Sequence, residues 1–314
     1  MSIYRDGNVE KIVDYNSLGE NITTEKSDGA KTIYTTKYAS GKTKSSYPIE
    51  CGVYHGRLSQ YFPNGKILYD YDWLNGRKHG PYQYLTTDNS LEWGGQFDTG
   101  NEFGIWTDKN SIGRLESQGK FFNGQYDSIW NYYYVSGKIS SNVAYKNGDR
   151  DGVASFFAPD GTPLLQKFFE SGFLTFYRIL TNGQSGEWIP VKKDYTIAAS
   201  YPDGTKAYEE PIKNGLVNGP KRIFYRDGTI YSEQHFVDGN YNGKYVINHA
   251  NGKPAESGQY KSDNLVGVRQ FFNEAGTLIK SEEYVNGVRH GKTITYSNGV
   301  IQNEVLFWGG SPEK

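Results

Sequence analysis

The chain has 314 residues, and its 34 Lys and Arg against 35 Asp and Glu give a formal net charge of -1. This balance disfavours a dedicated nucleic-acid binder, which usually carries a basic excess. No run approaches the roughly 18–20 apolar residues of a membrane-spanning helix, and the opening residues lack the apolar core of a secretory signal. The single cysteine, Cys51, excludes an internal disulfide. We therefore expect an ordered, cytoplasmic protein.

The first 31 residues do not fit a regular pattern. The segment Tyr4-Arg5-Asp6-Gly7 resembles a turn, but its spacing to the following segment is irregular. We interpret residues 1–31 as a degenerate N-terminal cap, which would keep the edge of a sheet from pairing with other chains.

Residues 32–175 are predicted to be regular repeats with a period of 24 residues. Glycine recurs at three positions of the repeat, which we number 0, 9 and 20. The glycines at position 0 of this segment are Gly56, Gly80, Gly104 and Gly152, and Ser128 stands at the same position of another repeat. Aromatic residues recur at position 17 and near position 5, and aliphatic residues at position 11.

The residues around these glycines predict the local structure. Asn or Asp often precedes the glycine of positions 9 and 20, as in Asn64-Gly65 and Asn75-Gly76. Such pairs favour hairpin turns because both residues tolerate a positive φ. The intervening segments are rich in Tyr, Phe, Trp, Ile and Val, which favour strands. Each repeat is therefore predicted to be strand, tight turn, strand, tight turn, with almost no helix.

Residues 176–194 interrupt the period, because they span only 19 residues between regular repeats. We interpret them as a short, irregular repeat, and the alternative is a hinge that divides the array. Regular repeats resume over residues 195–308, with position 0 occupied by Gly219, Gly243, Gly267 and Gly291, and a polar tail covers residues 309–314.

Consecutive antiparallel hairpins predict an all-β fold. The expected architecture is one repeat array over residues 1–314, an elongated, twisted antiparallel β-meander solenoid. Aromatic residues stacked at one repeat position would form a thin core along it.

Two repeats show a resemblance to a known family. The segments GRLSQYFPNGKILYDYDWLNGRKHG and GVRQFFNEAGTLIKSEEYVNGVRHG resemble the MORN-repeat variant of bacterial YwqK-like antitoxin proteins. The resemblance covers most of residues 32–308. It implies an all-β repeat scaffold without catalysis, which in bacteria often serves as the immunity or antitoxin partner of a toxin. Eukaryotic MORN proteins are instead linked to membranes and scaffolding.

The sequence offers little for catalysis or metal binding. His55, His79 and His290 each stand directly before a repeat start, so the repeat explains their positions. Neighbouring repeats place such residues roughly 10 Å apart, too far for ligands of one zinc ion. Gly183-Gln184-Ser185-Gly186 lacks the spacing of a nucleophile turn. We expect no catalytic residue, no metal and no cofactor. The remaining histidines, His235 and His249, are expected to be exposed strand residues.

Aromatic residues near basic ones can also mark a platform for single-stranded nucleic acid, as with Tyr132–Tyr134 near Lys138. These aromatics occupy core positions of the repeat, and the chain has no basic excess. We therefore expect no nucleic-acid partner, and the paired Lys192-Lys193 gives thin support for a membrane partner.

The predicted function is protein binding, because a long Tyr-rich surface suits an interface. The residues that depart from the repeat consensus are the candidate binding residues: Phe176, Tyr177, Arg178, Trp188, Lys192 and Lys193. The main hypothesis is a cytoplasmic antitoxin that neutralises a cognate toxin by stoichiometric binding. The alternative is a MORN-type scaffold or adaptor that associates with membrane lipids.

Overall fold

The computed structural model of the protein describes residues 2–5, 8–12, 23–28 and 31–313, with side chains from residue 31 onwards. Every regular element of this described part is a β-strand, and none is a helix. The predicted all-β antiparallel hairpin meander is confirmed. The cap predicted over residues 1–31 lies partly outside the described residues, as does Asp6-Gly7 of its turn.

The chain forms two compact units. Unit 1 comprises Met1–Arg114, Gln118–Tyr126 and Pro312–Lys314, and unit 2 comprises Leu115–Ser117 and Asp127–Ser311.

The strands that begin before residue 120 are β1 (Ser2–Arg5), β2 (Asn8–Ile12), β3 (Thr23–Asp28), β4 (Lys31–Lys37), β5 (Thr43–Glu50), β6 (Val53–Tyr54), β7 (Gly56–Tyr61), β8 (Ile67–Leu74), β9 (Arg77–Leu85), β10 (Leu91–Asp98), β11 (Asn101–Lys109) and β12 (Leu115–Phe122). The next are β13 (Gln125–Tyr133), β14 (Ile139–Lys146), β15 (Asp149–Phe157), β16 (Pro163–Glu170), β17 (Phe173–Thr181), β18 (Gln184–Ser185) and β19 (Ile189–Pro190). The last are β20 (Tyr195–Ser200), β21 (Lys206–Lys213), β22 (Leu216–Val217), β23 (Gly219–Phe224), β24 (Ile230–Val237), β25 (Asn240–Asn248), β26 (Pro254–Lys261), β27 (Asn264–Phe272), β28 (Leu278–Val285), β29 (Val288–Ser297), β30 (Val300–Trp308) and β31 (Ser311–Pro312).

Strands pair antiparallel with their neighbours in sequence. In unit 1 this holds from β7 through β8, β9 and β10 to β11. In unit 2 it holds from β13 to β17, and again from β23 to β30. β20 pairs with β21 at the start of another sheet, so the strand pairing changes between Pro190 and Tyr195. The short repeat or hinge predicted over residues 176–194 stays a prediction.

The two predicted turns of each repeat differ in backbone geometry. At position 20 both residues have a positive φ, as in Asn75 (48°) and Gly76 (78°), which is the type I′ geometry of a two-residue hairpin. At position 9 the glycine has the positive φ, 90° at Gly65, and the preceding Asn64 does not. The Asn64 carboxamide instead accepts a hydrogen bond from the Lys66 amide at 3.0 Å. Asn therefore favours the two turns for different physical reasons.

The glycine of position 0 lies in a recurring β-bulge. Between Gln234 and Phe236, β24 advances two residues while its partner β25 advances four, from Tyr245 to Tyr241. Gly243 lies in that bulge with a φ of 123°, which residues with a side chain rarely adopt. The same irregularity recurs in the pairing of β10 with β11, β14 with β15, β26 with β27 and β28 with β29. A bulge therefore explains the glycine at position 0 of these repeats.

A ladder of side-chain hydrogen bonds joins consecutive repeats. The hydroxyl of Tyr201 donates to the Phe224 carbonyl at 2.8 Å, and the hydroxyl of Tyr225 donates to the Asn248 carbonyl at 2.8 Å. His249 occupies the same repeat position, and its Nε2 lies 3.1 Å from the Phe272 carbonyl oxygen. His249 is 8% exposed, so the expectation of an exposed strand residue is wrong for it.

Unit 1 has an aromatic core around Trp106, which is fully buried. Its ring centroid lies 5.0 Å from that of Trp93, 5.3 Å from that of Phe97 and 5.7 Å from that of Phe121. A Cβ atom on Gly95 would lie 2.3 Å from the Trp106 ring, so a side chain there would displace the indole. Phe97 and Phe121 stand at position 17, as the repeat predicts, whereas Trp93 and the central Trp106 stand at positions 13 and 2, outside the predicted aromatic positions.

Unit 2 has a core between strands of its two sheets. Leu164 and Leu165 of β16 pack with Ile197 of β20 and with Ala207 and Tyr208 of β21. Away from this cluster, the Tyr134 and Tyr231 rings meet edge to face at 4.8 Å, although 97 positions of sequence separate them. The local repeat pattern does not specify such contacts, because they join repeats that are not consecutive.

The bulge geometry predicts unequal effects of alanine at two neighbouring repeats. Gly243→Ala should destabilise the fold by at least about 1 kcal/mol more than Gly267→Ala. A Cβ on Gly243 would lie 3.1 Å from the His235 Cβ at a φ of 123°, whereas one on Gly267 meets no atom within 4 Å at a φ of 70°. Urea unfolding of both variants measures the difference, and equal midpoints would show that the bulge tolerates a side chain.

Candidate functional site

Three of the predicted binding residues lie together, namely Phe176 and Arg178 on the outer face of β17 and Trp188 directly before β19. We call the group formed by Phe168, Phe176, Arg178 and Trp188 the outer patch. The Trp188 ring meets the Phe168 ring edge to face at 5.9 Å, and the Arg178 guanidinium lies 4.4 Å from the Trp188 centroid. Phe176 is 39% exposed and pairs with Pro190. The patch therefore combines an accessible aromatic surface with a cation held over an indole.

The other predicted residues are placed differently. Tyr177 packs against the core cluster of unit 2 and stacks on Tyr195 at 5.6 Å, because alternate residues of a strand face opposite sides. Lys192 and Lys193 are exposed in the segment that precedes β20. The sequence prediction thus combined residues of two faces, and Tyr177 has a structural role.

The outer patch has the chemistry of a protein-binding surface. Trp, Tyr and Arg are the residues most enriched among energetic hot spots of interfaces. Arg178 is positioned in advance, since its Nε also donates to the Gln166 side chain at 2.7 Å. A fixed guanidinium loses less conformational entropy on binding than a free one.

A second feature of unit 2 is a cavity of about 610 Å³ with buried charges in its wall. We call it the ionic cavity. Its wall includes Lys167 of β16, Glu210 of β21 and Lys221 of β23. Lys167 donates to Glu210 Oε1, the Tyr208 hydroxyl donates to Glu210 Oε2 at 2.5 Å, and Lys221 Nζ lies 3.5 Å from the same Oε2. Two strands of one sheet and one of another thus meet at a single buried carboxylate.

Burial and charge pairing set the protonation of these groups. Burial alone would raise the pKa of the Glu210 carboxyl, but the ammonium groups of Lys167 and Lys221 outweigh it and hold the pKa at about 2. Burial lowers the pKa of Lys167 to about 8, although the Glu210 carboxylate opposes that shift. At neutral pH both Lys167 and Glu210 are charged. Removing either side chain would leave the other charge buried without its partner, which would destabilise the fold.

Sequence reasoning missed this cluster. Lys167 and Glu210 both stand at repeat position 15, where Tyr71 and Val143 stand in other repeats. The available signal was therefore a charged residue at a core position of the repeat. That signal does not reveal the partner, since the two residues are 43 positions apart and in different sheets.

A second ionic group lies within the same unit. Arg269 Nη2 lies 2.6 Å from Glu116 Oε1 and 2.9 Å from Glu256 Oε1. The Tyr245 hydroxyl donates to Glu256 at 2.7 Å. Arg269 is thus held between two carboxylates and has a structural role.

The described residues offer few candidates for metal binding, thiol chemistry or membrane insertion. No group of three or more His, Cys, Asp or Glu side chains in the described part of the chain could hold a metal ion. Cys51 is a free, exposed thiol. Within the same described ranges, no helix is long and apolar enough to cross a membrane.

Comparison with known proteins supports the repeat type. Residues 54–75 match the family described as MORN repeat variant. No curated protein matches the chain. The chain therefore carries a MORN-type repeat within an all-β repeat fold.

Two solved structures show weak likeness to the chain. One is the Photorhabdus luminescens Tc holotoxin pore with a mutated TccC3, at 11% identity and a TM-score of 0.18, covering 95% of this chain and 15% of that one. The other is TcdB2-TccC3, at 11% identity and a TM-score of 0.16, covering 96% of this chain and 23% of that one. This chain thus spans less than a quarter of either relative, and at these TM-scores neither informs its fold or function.

The buried carboxylate predicts a specific loss of stability in acid. The Glu210 pKa is about 2 in the fold and 4.5 in the ordinary state, so its contribution is full above about pH 4.5 and is lost as the pH falls towards 2. Glu210→Gln should be less stable than the wild type by about 3 kcal/mol at pH 7. Urea unfolding from pH 7 to 2 should show this difference shrinking below pH 4.5. A difference that stays constant would mean that the carboxylate is not held ionised by the lysines.

Proposed function

We propose that the protein acts by binding another protein and not by catalysis. The observation that carries the proposal is the outer patch, where Trp188, Phe176 and Arg178 form a preorganised aromatic and cationic surface. The MORN-type repeat supports it, since stacked repeats present extended surfaces for partners.

In its finer form, the proposal is that the protein is a cytoplasmic antitoxin. The partner would be a cognate toxin, neutralised by a stoichiometric complex that blocks its active site or the approach of its substrate. The resemblance of the repeats to bacterial YwqK-like antitoxin proteins supports this form. The near-neutral net charge of -1 favours neither an acidic nor a basic partner.

The first experiment identifies the partner. The tagged full chain is used for affinity capture from its own cells, with a high-salt wash and mass spectrometry. A single stoichiometric protein that is toxic when expressed alone, and harmless when expressed with this chain, is the expected result. A tight complex that leaves the toxin fully active would contradict the inhibitory role. Co-sedimentation with anionic vesicles, without a protein partner, would instead support the lipid-associated scaffold.

The outer patch gives a mutational test. Trp188→Ala should weaken binding of the captured partner by about 2 kcal/mol, or roughly thirtyfold, as expected for a hot-spot tryptophan. Isothermal titration calorimetry with the purified partner measures the change.

Trp308→Ala is the matched control, because Trp308 is also in unit 2, is 63% exposed and packs on His290 at 4.3 Å. The control should bind like the wild type, with both variants checked by circular dichroism. Equal affinities for the two variants would place the interface elsewhere.

A further inference from the structure

The ionic cavity has an excess of positive charge. Its charged lining residues are Arg150, Lys167, Glu210, Lys221 and Asp263. Three of these are cations and two are carboxylates, so one positive charge remains without a counter-charge in the wall. A cavity with such an excess attracts an anion more strongly than open solvent does, because the surrounding protein screens the charge less than water.

The buried carboxylate is already fully engaged by other groups. Glu210 Oε1 accepts from Lys167, and Oε2 accepts from the Tyr208 hydroxyl. Lys221 contacts the same carboxylate at 3.5 Å, beyond a normal hydrogen bond. Of the two lysines that contact Glu210, Lys221 therefore has the weaker hold on it, while Arg150, the third cation of the wall, lies over the Phe169 ring.

The hydrogen-bond donors of Lys221 also favour it as an anion contact. An ammonium group carries three N–H donors. Besides its long contact with Glu210, Lys221 lies 5.9 Å from the Phe156 centroid and 5.5 Å from the Tyr208 centroid. These ring contacts stabilise the cation but use no conventional acceptor. Its side chain is 18% exposed, so an anion entering the cavity can reach it.

The remaining wall contains Asn240 and Tyr241 and a larger set of apolar side chains. Phe156, Phe169, Leu174, Ile212 and Phe236 contribute to it. Two further apolar residues of the lining are well exposed, Phe173 at 76% and Leu216 at 48%, so the cavity is accessible from solvent. A volume of about 610 Å³ lies within the range of small-molecule sites, roughly 300–1,000 Å³.

We propose that the ionic cavity binds a carboxylate carried on an apolar body, with Lys221 as its main charged contact. A single negative charge matches the one excess cation, whereas a doubly charged phosphate would leave a buried negative charge unpaired. The apolar wall accommodates the hydrocarbon part of the ligand. The carboxylate can belong to a free organic acid or to an acidic side chain of a protein partner. The proposal is independent of the toxin-binding role.

Calorimetric titration of the purified full chain tests the charge requirement. Hexanoate and its uncharged analogue hexanamide are the free probes, and the capped peptides acetyl-Phe-Asp-Leu-amide and acetyl-Phe-Asn-Leu-amide present the same chemistry on a chain. The expected result is a dissociation constant of about 1 mM or lower for an acid, and at least about tenfold weaker binding of its amide. Inorganic phosphate should bind more weakly than the acid.

The two sources of the carboxylate give different results. Hexanoate binding as tightly as the acidic peptide indicates a free organic acid, and binding of the peptide alone indicates an acidic side chain of a partner. Binding of neither acid, or equal binding of acid and amide, would overturn the proposal without affecting the role of the outer patch.

Variants of Lys221 test the position of the site. Lys221→Met should weaken acid binding at least about tenfold, and Lys221→Arg should keep most of it. Lys221→Met should fold, because Lys167 and Tyr208 still hold Glu210. The control Lys292→Met removes a lysine of the same unit, paired with Glu304 at 3.0 Å, and should bind like the wild type. Equal affinities for the Lys221→Met and Lys292→Met variants would place any acid binding outside this cavity.

Discussion

The structure depends on a backbone constraint that recurs every 24 residues, namely a bulge at which φ must be positive. Glycine meets this requirement without strain, as Gly243 does. The bulge and the two turns fix the register of each hairpin, and register decides which face of a strand is buried. The aromatic core around Trp106 and the ionic wall around Glu210 both follow from that fixed register.

The two units use one position of the repeat differently. Trp106 of unit 1 and Lys221 of unit 2 occupy the same position of their repeats, and both side chains lie in the interior. An aromatic ring at that position contributes packing, whereas a lysine there must find a carboxylate or lose stability. In unit 2 the carboxylate is supplied by Glu210, at which β16 of one sheet meets β21 and β23 of another. Lys167 and Tyr208 already occupy the Glu210 carboxylate, so Lys221 is only weakly paired with it. This weakly paired cation makes the cavity suited to a ligand.

The two proposed sites use different physical effects. The outer patch offers aromatic area and a fixed guanidinium, which suit a large and well-packed partner surface. The ionic cavity offers one excess charge in a partly closed space, which suits a small group of defined charge. Both lie in unit 2, and each can be tested without the other. Arg178 and Lys221 show the contrast, since Arg178 lies over an indole on the outer face and Lys221 lies beside a buried carboxylate.

The sequence by itself determined the strands, the turns and the aromatic phase, because Asn-Gly and Asp-Gly pairs and regular spacing act over a few residues. It also indicated Trp188 and Phe176, since they depart from the repeat. It did not show that the glycine of position 0 lies in a bulge. It also did not show that Tyr177 packs on the core while Phe176 lies on the opposite face of the strand. The pairing of Lys167 with Glu210 was decided only by the tertiary structure. A local period records which face of a strand is buried, but the contact between distant strands depends on how two sheets fold towards each other.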